Sequence, residues 1–480
     1  MIPVSTQLEP GQAHIRIGIY YAKNLLQSQL VTSSVTATEQ ESAGSSSWID
    51  YTLTADLGDL SFLPPRDLHV LTNQNADGTH RVIVNGGRDG ILPLNLAEGQ
   101  IRDMLKATRQ GLRQIHYEEW GGQLGSEPQR RTLLNRDNGK TKQAFLADLE
   151  PLARLGWKLF ATVRPQQRPE AWGVLRAPAT IQVSRTRGST FVFPWALVYD
   201  IPLETFAKPV PCPLIRDWDG RSAFVDSTAR HCPRAQDHGN KNTLCPFGFW
   251  GYRHIIEQVP SMPDGWDLPL LIRVDGEPLE LVVGRSVNLP TTATIAHLNA
   301  LRRELCPRFT LQDCDSLAEI VRALAGPVEL VYLYCHGRRR PLAGSDQQTP
   351  SLEVGNGEVF QPEDVLAWQQ ADWPPQHWLD TSPLVFINGC HTGEITPESL
   401  VNFVDNFSAA YAAGVIGTEI SLEQPMASEA AQVFFHHFQA GQVTVEQALQ
   451  RMRIHFLLKG NVLGLAYTPY CSAELKLGTR

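Results

Sequence analysis

Two short segments bring reactive residue types to the ends of apolar runs. VELVYLY (328–334) leads into Cys335-His336-Gly337, and PLVFIN (383–388) leads into Gly389-Cys390-His391-Thr392-Gly393. In an open α/β sheet, reactive groups belong just beyond the carboxyl ends of the strands, where loops form a crevice. If the two runs are neighbouring strands, His336 and Cys390 can face each other there. The imidazole can then activate the sulfur, because the thiolate is the nucleophilic form. The backbone N–H groups of Gly337 and of Cys390, which follows Gly389, could form an oxyanion hole, since glycine permits close backbone approach. Cys335 and His391 sit beside this pair, and alternation along an extended backbone turns neighbours to opposite faces, so both are assigned to packing. An isolated Cys or His at a strand end is more often structural than reactive. Two of them, each flanked by glycine at the end of its own apolar run, weaken that reading.

The surrounding sequence must hold these runs in one sheet. From about residue 268 strands and helices alternate. LELVVG (279–284), VELVYLYC (328–335), PLVFING (383–389) and AGVIGT (413–418) read as strands. Helical spacing marks 291–305, 362–370, 397–412, 428–441 and 444–460. A further helix begins at Ser316, which forms a capping-box pattern with Glu319, and ends at Gly326-Pro327. This alternation implies a parallel sheet between layers of helices. Residues 98–205 read as another α/β unit, with helices over 101–115 and 141–160, a strand at 181–184, and strands with their exits in FVFPWALVYDIPL (191–203). Residues 1–95 read as β-rich, with strand-like runs at 14–22 and 80–87 and a Ser-rich loop around 33–47.

Residues 206–260 break the alternation and read as an irregular insertion. Cys212, His231, Cys232, His238 and Cys245 fall within it, and zinc takes four N or S ligands held tetrahedrally. Cys212, Cys232, His238 and Cys245 are the candidate ligands. No CxxC pair is present, so a structural zinc is not favoured over an ordered cap anchored by Phe247, Phe249, Trp250 and Tyr252.

The segments YCHG and NGCHTG, in that order, resemble the histidine and cysteine motifs of the CHAT family of caspase- and separase-like cysteine peptidases. Caspases place the histidine roughly 50 residues ahead of the cysteine, close to the interval between His336 and Cys390. VFPWALVYDIP (192–202) is similar to the family's PWE-type strand, with Ala196 in place of the usual acidic residue. The stretches AAGVIGTEISLEQPMASEAAQVFFHHFQAG and QALQRMRIHFLL resemble the family's strand–turn–helix after the cysteine and its closing helix. The resemblance spans residues 100–480 and is strongest over 270–470. It implies an α/β fold with a caspase-like parallel-sheet core sandwiched by helices. It also implies a general-base role for His336, a nucleophilic role for Cys390, no required third carboxylate and no cofactor for catalysis. The family comparison suggests two units behind the β-rich residues 1–95. One is a degenerate, inactive unit at 96–265 that carries the insertion, and the other an active peptidase unit at 266–480.

That resemblance further implies an endopeptidase acting on one or a few protein substrates in a regulated bacterial pathway. Anti-phage defence is one such setting, with a gasdermin-like pore-former as substrate and an activating partner as trigger. Asp405, Glu419 and Glu423 are candidates for the substrate pocket, where a carboxylate favours Arg or Lys before the cleaved bond; the competing reading for each is a solvated loop acid. The loop at 338–351 is expected to be mobile or self-cleaved. The alternatives are a non-catalytic caspase-like interaction module, indifferent to Cys390→Ala, and a metal-supported binding protein centred on 212–245.

Composition bounds these readings. A formal charge of −8 and a pI near 6.0 argue against nucleic acid as a direct partner. No apolar stretch reaches the roughly 18 residues of a spanning helix, and the first residues lack the pattern of a secretory signal. A cytoplasmic protein without a membrane partner is the expectation. Eight cysteines in 480 residues are too sparse for a disulfide scaffold.

Overall fold

A computed structural model describes residues 11–478 apart from 36–44, 76–78, 86–90, 120–129, 133–138, 165–168, 190, 264, 275, 277, 342–347, 375 and 390–396. Cys390 and His391 therefore lie outside the described residues. The chain opens with an antiparallel meander of β1 (Gly11–Tyr21), β2 (Asn24–Val35) and β3 (Ser45–Thr52). Ala22 and Lys23 turn β1 into β2 with φ of 46° and 63°. Positive φ at both central residues matches the twist of the strands they join.

A five-stranded sheet follows. It is built from β4 (Leu68–Gln74), β5 (His80–Asn85), β6 (Ile91–Leu96), β7 (Thr180–Arg185) and β8 (Ile255–Val259), in the order β8-β7-β4-β5-β6. The first three in that order are mutually parallel and the remaining pairings antiparallel. Helices α1 (Glu98–His116) and α2 (Lys142–Val163) lie between β6 and β7 in sequence. The sheet takes strands from both sides of residue 95.

The larger, eight-stranded sheet holds β9 (Leu279–Arg285), β10 (Phe309–Cys314), β11 (Leu330–Pro341), β12 (Gln348–Val354), β13 (Glu358–Phe360), β14 (Leu384–Gly389), β15 (Gly414–Thr418) and β16 (Tyr467–Cys471). Its main order is β10-β9-β11-β14-β15-β16, parallel except for the last pair. The intervening helices are α3 (Thr291–Leu305), α4 (Leu317–Leu324), α5 (Pro362–Ala371), α6 (Pro397–Ala409), α7 (Gln424–Phe438) and α8 (Val445–Leu458). Burial on both faces explains why these strands read as unbroken apolar runs. Leu330, Tyr332 and Tyr334 of β11 join one core with Phe434 and Phe435 of α7. Val331, Leu333 and Cys335 join the opposite core with Val401 and Val404 of α6. The protein is a mixed α/β molecule with helices flanking largely parallel sheets.

Three stretches differ from their sequence expectation. The segment 191–203 forms no named strand; it holds a single 3-10 turn, Trp195–Leu197. Pro194 lacks a ladder donor, and the segment is pressed against α2, where Gly156 leaves no room for a Cβ beside the Leu197 carbonyl oxygen. Within 206–260, Ile255–Val259 is regular, because it adds in parallel to the edge of β7. The expected loop at 338–351 is largely a β-hairpin. β11 runs on past the sheet to Pro341 and pairs antiparallel with β12, Arg338 opposite Ser351; residues 342–347 lie outside the described residues.

An ion pair ties the two sheets. Arg66 donates to both oxygens of Glu257 on β8 at 2.8 Å, and the pair is 2% and 1% exposed. Glu257 also accepts the Ala473 amide at 2.8 Å, just past β16. Removing one partner leaves a buried charge uncompensated, which costs about 3–5 kcal/mol. Arg66→Met is expected to lower the unfolding free energy in urea by that amount at unchanged m-value. A loss within about 0.5 kcal/mol, the range of an ordinary surface substitution, would contradict a structural role for the pair.

Candidate functional site

The parallel pairing of β11 with β14 sets Leu330 beside Leu384 and Cys335 beside Gly389, and every pair between them keeps the same offset. His336 and Gly337 lie one and two residues beyond the last of these pairs. A small cavity opens where β11, β14 and β15 end, lined among others by Gly337, Ile387, Gly389, Thr418 and Ser421. A Cβ built on Gly389 would lie 3.9 Å from the Gly337 nitrogen, so the two glycine backbones adjoin at the floor of the crevice.

His336 is 8% exposed and occupies the stretch where β11 changes partners from β14 to β12. Directly opposite it on β12 is Glu353, 2% exposed. Directly opposed residues project to the same face with Cβ atoms about 4.5–5.5 Å apart. Leu352 and Val354 turn to the other face and join the apolar core. The Glu353 carboxylate accepts from Asn288 Nδ2 at 2.9 Å and from Ser286 Oγ at 3.5 Å. The register thus sets a buried carboxylate on the same face as the His336 side chain. The sequence reading missed Glu353, because Leu352-Glu353-Val354 lies just past the loop expected at 338–351 and was assigned to no element; an acid flanked by Leu and Val was the available signal. Cys335 is fully buried with Val331 and Leu333. Burial pushes its thiol well up, and Glu353 adds to the rise, which keeps it protonated and unreactive.

The three carboxylates expected in a substrate pocket are not brought together by the crevice. Glu419 follows β15 but is 2% exposed. It pairs with Arg109 of α1 at 3.3 Å and accepts from Thr468 Oγ1 at 3.1 Å. Asp405, on α6, pairs with Arg185 of β7 at 2.5 Å. It lines a separate cavity with Arg187 and Ser261. Glu423 is the half-buried N-cap residue of α7. In the insertion, by contrast, the Cys212, Cys232 and Cys245 sulfurs and a ring nitrogen of His238 all lie within 4.8 Å of one another. Among the described residues, these are the ones placed to hold a metal. His231 is not in the cluster.

Beneath the crevice runs a polar network that the sequence did not reveal. Asn388, fully buried, donates to Tyr332 Oη at 3.1 Å and to the Ala427 carbonyl at 2.7 Å, and accepts from Tyr467 Oη at 3.1 Å. His297 of α3 hydrogen-bonds Tyr332 Oη through Nε2 at 3.1 Å and Gln432 Nε2 through Nδ1 at 3.0 Å. Burial pushes the His297 imidazole down to about 4 from 6.5. The unfolded chain then takes up this proton first as pH falls, so the stability is intact above pH 6.5 and lost as pH drops toward 4. His297→Gln retains a donor and an acceptor but cannot titrate. Its unfolding free energy, followed by urea denaturation, is expected to fall less than wild type over that window, by on the order of 3 kcal/mol. Parallel pH curves for the two proteins would refute this account of His297.

No family model matches the chain. It is similar to a protein named a probable protease from Vitiosangium sp. (strain GDMCC 1.1324), at 29% identity over 99% of this chain. The chain spans 63% of the length of that relative. No helix among the described residues is long and apolar enough to cross a membrane.

Proposed function

We propose that the chain is a cysteine endopeptidase of the caspase-like, CHAT type, with His336 as general base and Cys390 as nucleophile. One observation carries the reading: the offset that pairs Leu330 with Leu384 and Cys335 with Gly389 is the same interval that separates His336 from Cys390. Gly389, the last described residue before Cys390 in sequence, lies beside Cys335, the residue before His336. Alternation along β11 puts His336 on the face of Tyr334, opposite that of Cys335. The similarity to a probable protease points the same way.

In this reading His336 takes the thiol proton of Cys390, and the thiolate attacks the carbonyl carbon of the scissile peptide bond. The oxyanion is held by the N–H groups of Gly337 and Cys390. The intermediate collapses by breaking the C–N bond, and His336 hands its proton to the leaving amine. Water, deprotonated by the same imidazole, then hydrolyses the thioester and restores the thiol. Glu353 positions His336 and supports its charged form, without touching substrate. No cofactor is required for these steps. The five-stranded sheet serves as the inactive companion unit: no His or Cys stands at the carboxyl ends of β4, β7 or β8, which close on Gln74, Arg185 and Val259. The setting we favour is a regulated bacterial pathway in the cytoplasm, with a protein substrate such as a gasdermin-like pore-former and an activating partner.

A peptide-based electrophile that traps thiolates tests the assignment. Mass spectrometry is expected to find the adduct on Cys390, with His336→Ala labelled about 100-fold more slowly or worse. Adducts on Cys335 at equal rate, or no dependence on His336, would sink it in favour of a non-catalytic module. For Glu353→Gln the expected result is a fall in kcat at nearly unchanged KM, with the histidine-dependent limb of the pH profile moved to lower pH. An unaltered profile would remove Glu353 from the site.

A further inference from the structure

The insertion before β8 contains a cluster that the proposed peptidase chemistry does not use. Its cysteines come from two places that the fold aligns. Val210–Pro211 and Thr243–Leu244 form a short parallel pair, Val210 beside Thr243 and Pro211 beside Leu244. Cys212 and Cys245 are the next residues on each side, so they emerge next to each other. The Cys212 amide donates to the Leu244 carbonyl at 2.9 Å, and the Cys245 amide donates to Tyr199 Oη at 3.1 Å. Cys232 and His238 come from one tight loop. Ala235 N–H bonds the Cys232 carbonyl at 3.1 Å and His238 N–H bonds the Ala235 carbonyl at 3.2 Å. This curls the loop so that both side chains reach the aligned pair.

The four donor atoms lie within 4.8 Å of one another. A tetrahedral zinc with Zn–S bonds of about 2.3 Å spaces its sulfurs about 3.8 Å apart. All three cysteines are free thiols, and they are 1%, 4% and 0% exposed in chain order. Independently, Nε2 of His238 is buried with no hydrogen-bond partner. A buried, unpartnered nitrogen on a ring that borders three sulfurs points to a cation as its ligand.

We propose that Cys212, Cys232, His238 and Cys245 form a structural zinc site. The four protein ligands fill the coordination sphere, so no position is left for water or substrate and the metal holds the insertion together. Binding releases the three thiol protons, and the three thiolates with Zn²⁺ leave one net negative charge. What the metal fastens is specific. Residues 220–242 are mostly exposed and lack any regular element longer than the 3-10 turn Ala235–Asp237. Yet the loop meets α8, where Gln450 Nε2 donates to the Ala229 carbonyl at 3.5 Å and to the Tyr252 carbonyl at 2.5 Å. On the other side Trp218 packs edge-on against Phe145 of α2. The site therefore pins the insertion across helices from both halves of the molecule.

The test is metal analysis of the full chain purified without chelator. The expected stoichiometry is about one zinc per chain. Replacing zinc by Co²⁺ should give the thiolate-to-metal charge-transfer band and intense visible bands of a tetrahedral sulfur-rich site. This measurement uses the unaltered protein and does not depend on any variant folding. His238→Ala should lose metal to a competing chelator about 10-fold more readily or worse, while Cys306→Ser, at an exposed cysteine outside the cluster, should retain it. Absence of both zinc and the cobalt thiolate band, or recovery of two of the cluster cysteines as a disulfide in metal-free protein, would overturn the proposal.

Discussion

A parallel strand buried on both faces tolerates only one register, and the β11–β14 pair has its register fixed twice over. Slipping by one residue would send Tyr332 and Tyr334 toward α6 and the smaller Val331 and Leu333 toward α7. It would also break the bond from Asn388 to Tyr332, while Asn388 itself is held in place by Tyr467 and the Ala427 carbonyl. Each buried polar group left without a partner costs about 1–3 kcal/mol, on top of the misplaced apolar volume. The network lies inside the sheet's core, yet it decides which residues arrive at the crevice.

Much of this was legible in the sequence where local pattern and burial agree. The runs VELVYLYC and PLVFING are strands because both faces are covered, and Ser316 caps its helix as the pattern implies, accepting from Glu319 N–H at 3.3 Å. The partner of Glu319 was less legible: its carboxylate takes the Asp315 amide at 3.1 Å, one residue before the expected reciprocal bond. The hairpin at 330–354 escaped because its pairing is with a segment whose Gly, Ser and Gln content reads as a loop. With it went Glu353, whose meaning depends on the residue opposite. The partners of Asp405 and Glu419 were illegible for a related reason, since the arginines that hold them lie 220 and 310 residues away. The cysteine cluster lacks a CxxC because two of its members are aligned by strand pairing and not by a knuckle.

The two halves are joined through charge as well as through apolar contact. Arg109 reaches from α1 to Glu419 behind β15, and it also donates to the Val192 carbonyl at 3.3 Å. Arg185 on β7 reaches Asp405 on α6. In both cases the base comes from the N-terminal half and the acid from the sheet that carries His336 or its flanking helix. Such pairs fix orientation more than they add stability. Both acids therefore join one half of the molecule to the other.

The Arg66–Glu257 pair has a further consequence for how the chain must be assembled. Its carboxylate is completed by an amide 216 residues further on, at Ala473. A nascent chain that has just produced β8 can bring Arg66 to Glu257 but has nothing to offer the remaining lone pair. The edge of the five-stranded sheet stays raw until the strand order of the larger sheet has closed with β16. Contacts this distant in sequence are slow to form and leave apolar surface open meanwhile. Maturation of the first sheet is therefore bound to completion of the second, and the N-terminal half acquires its final edge only as a late event in the folding of the whole.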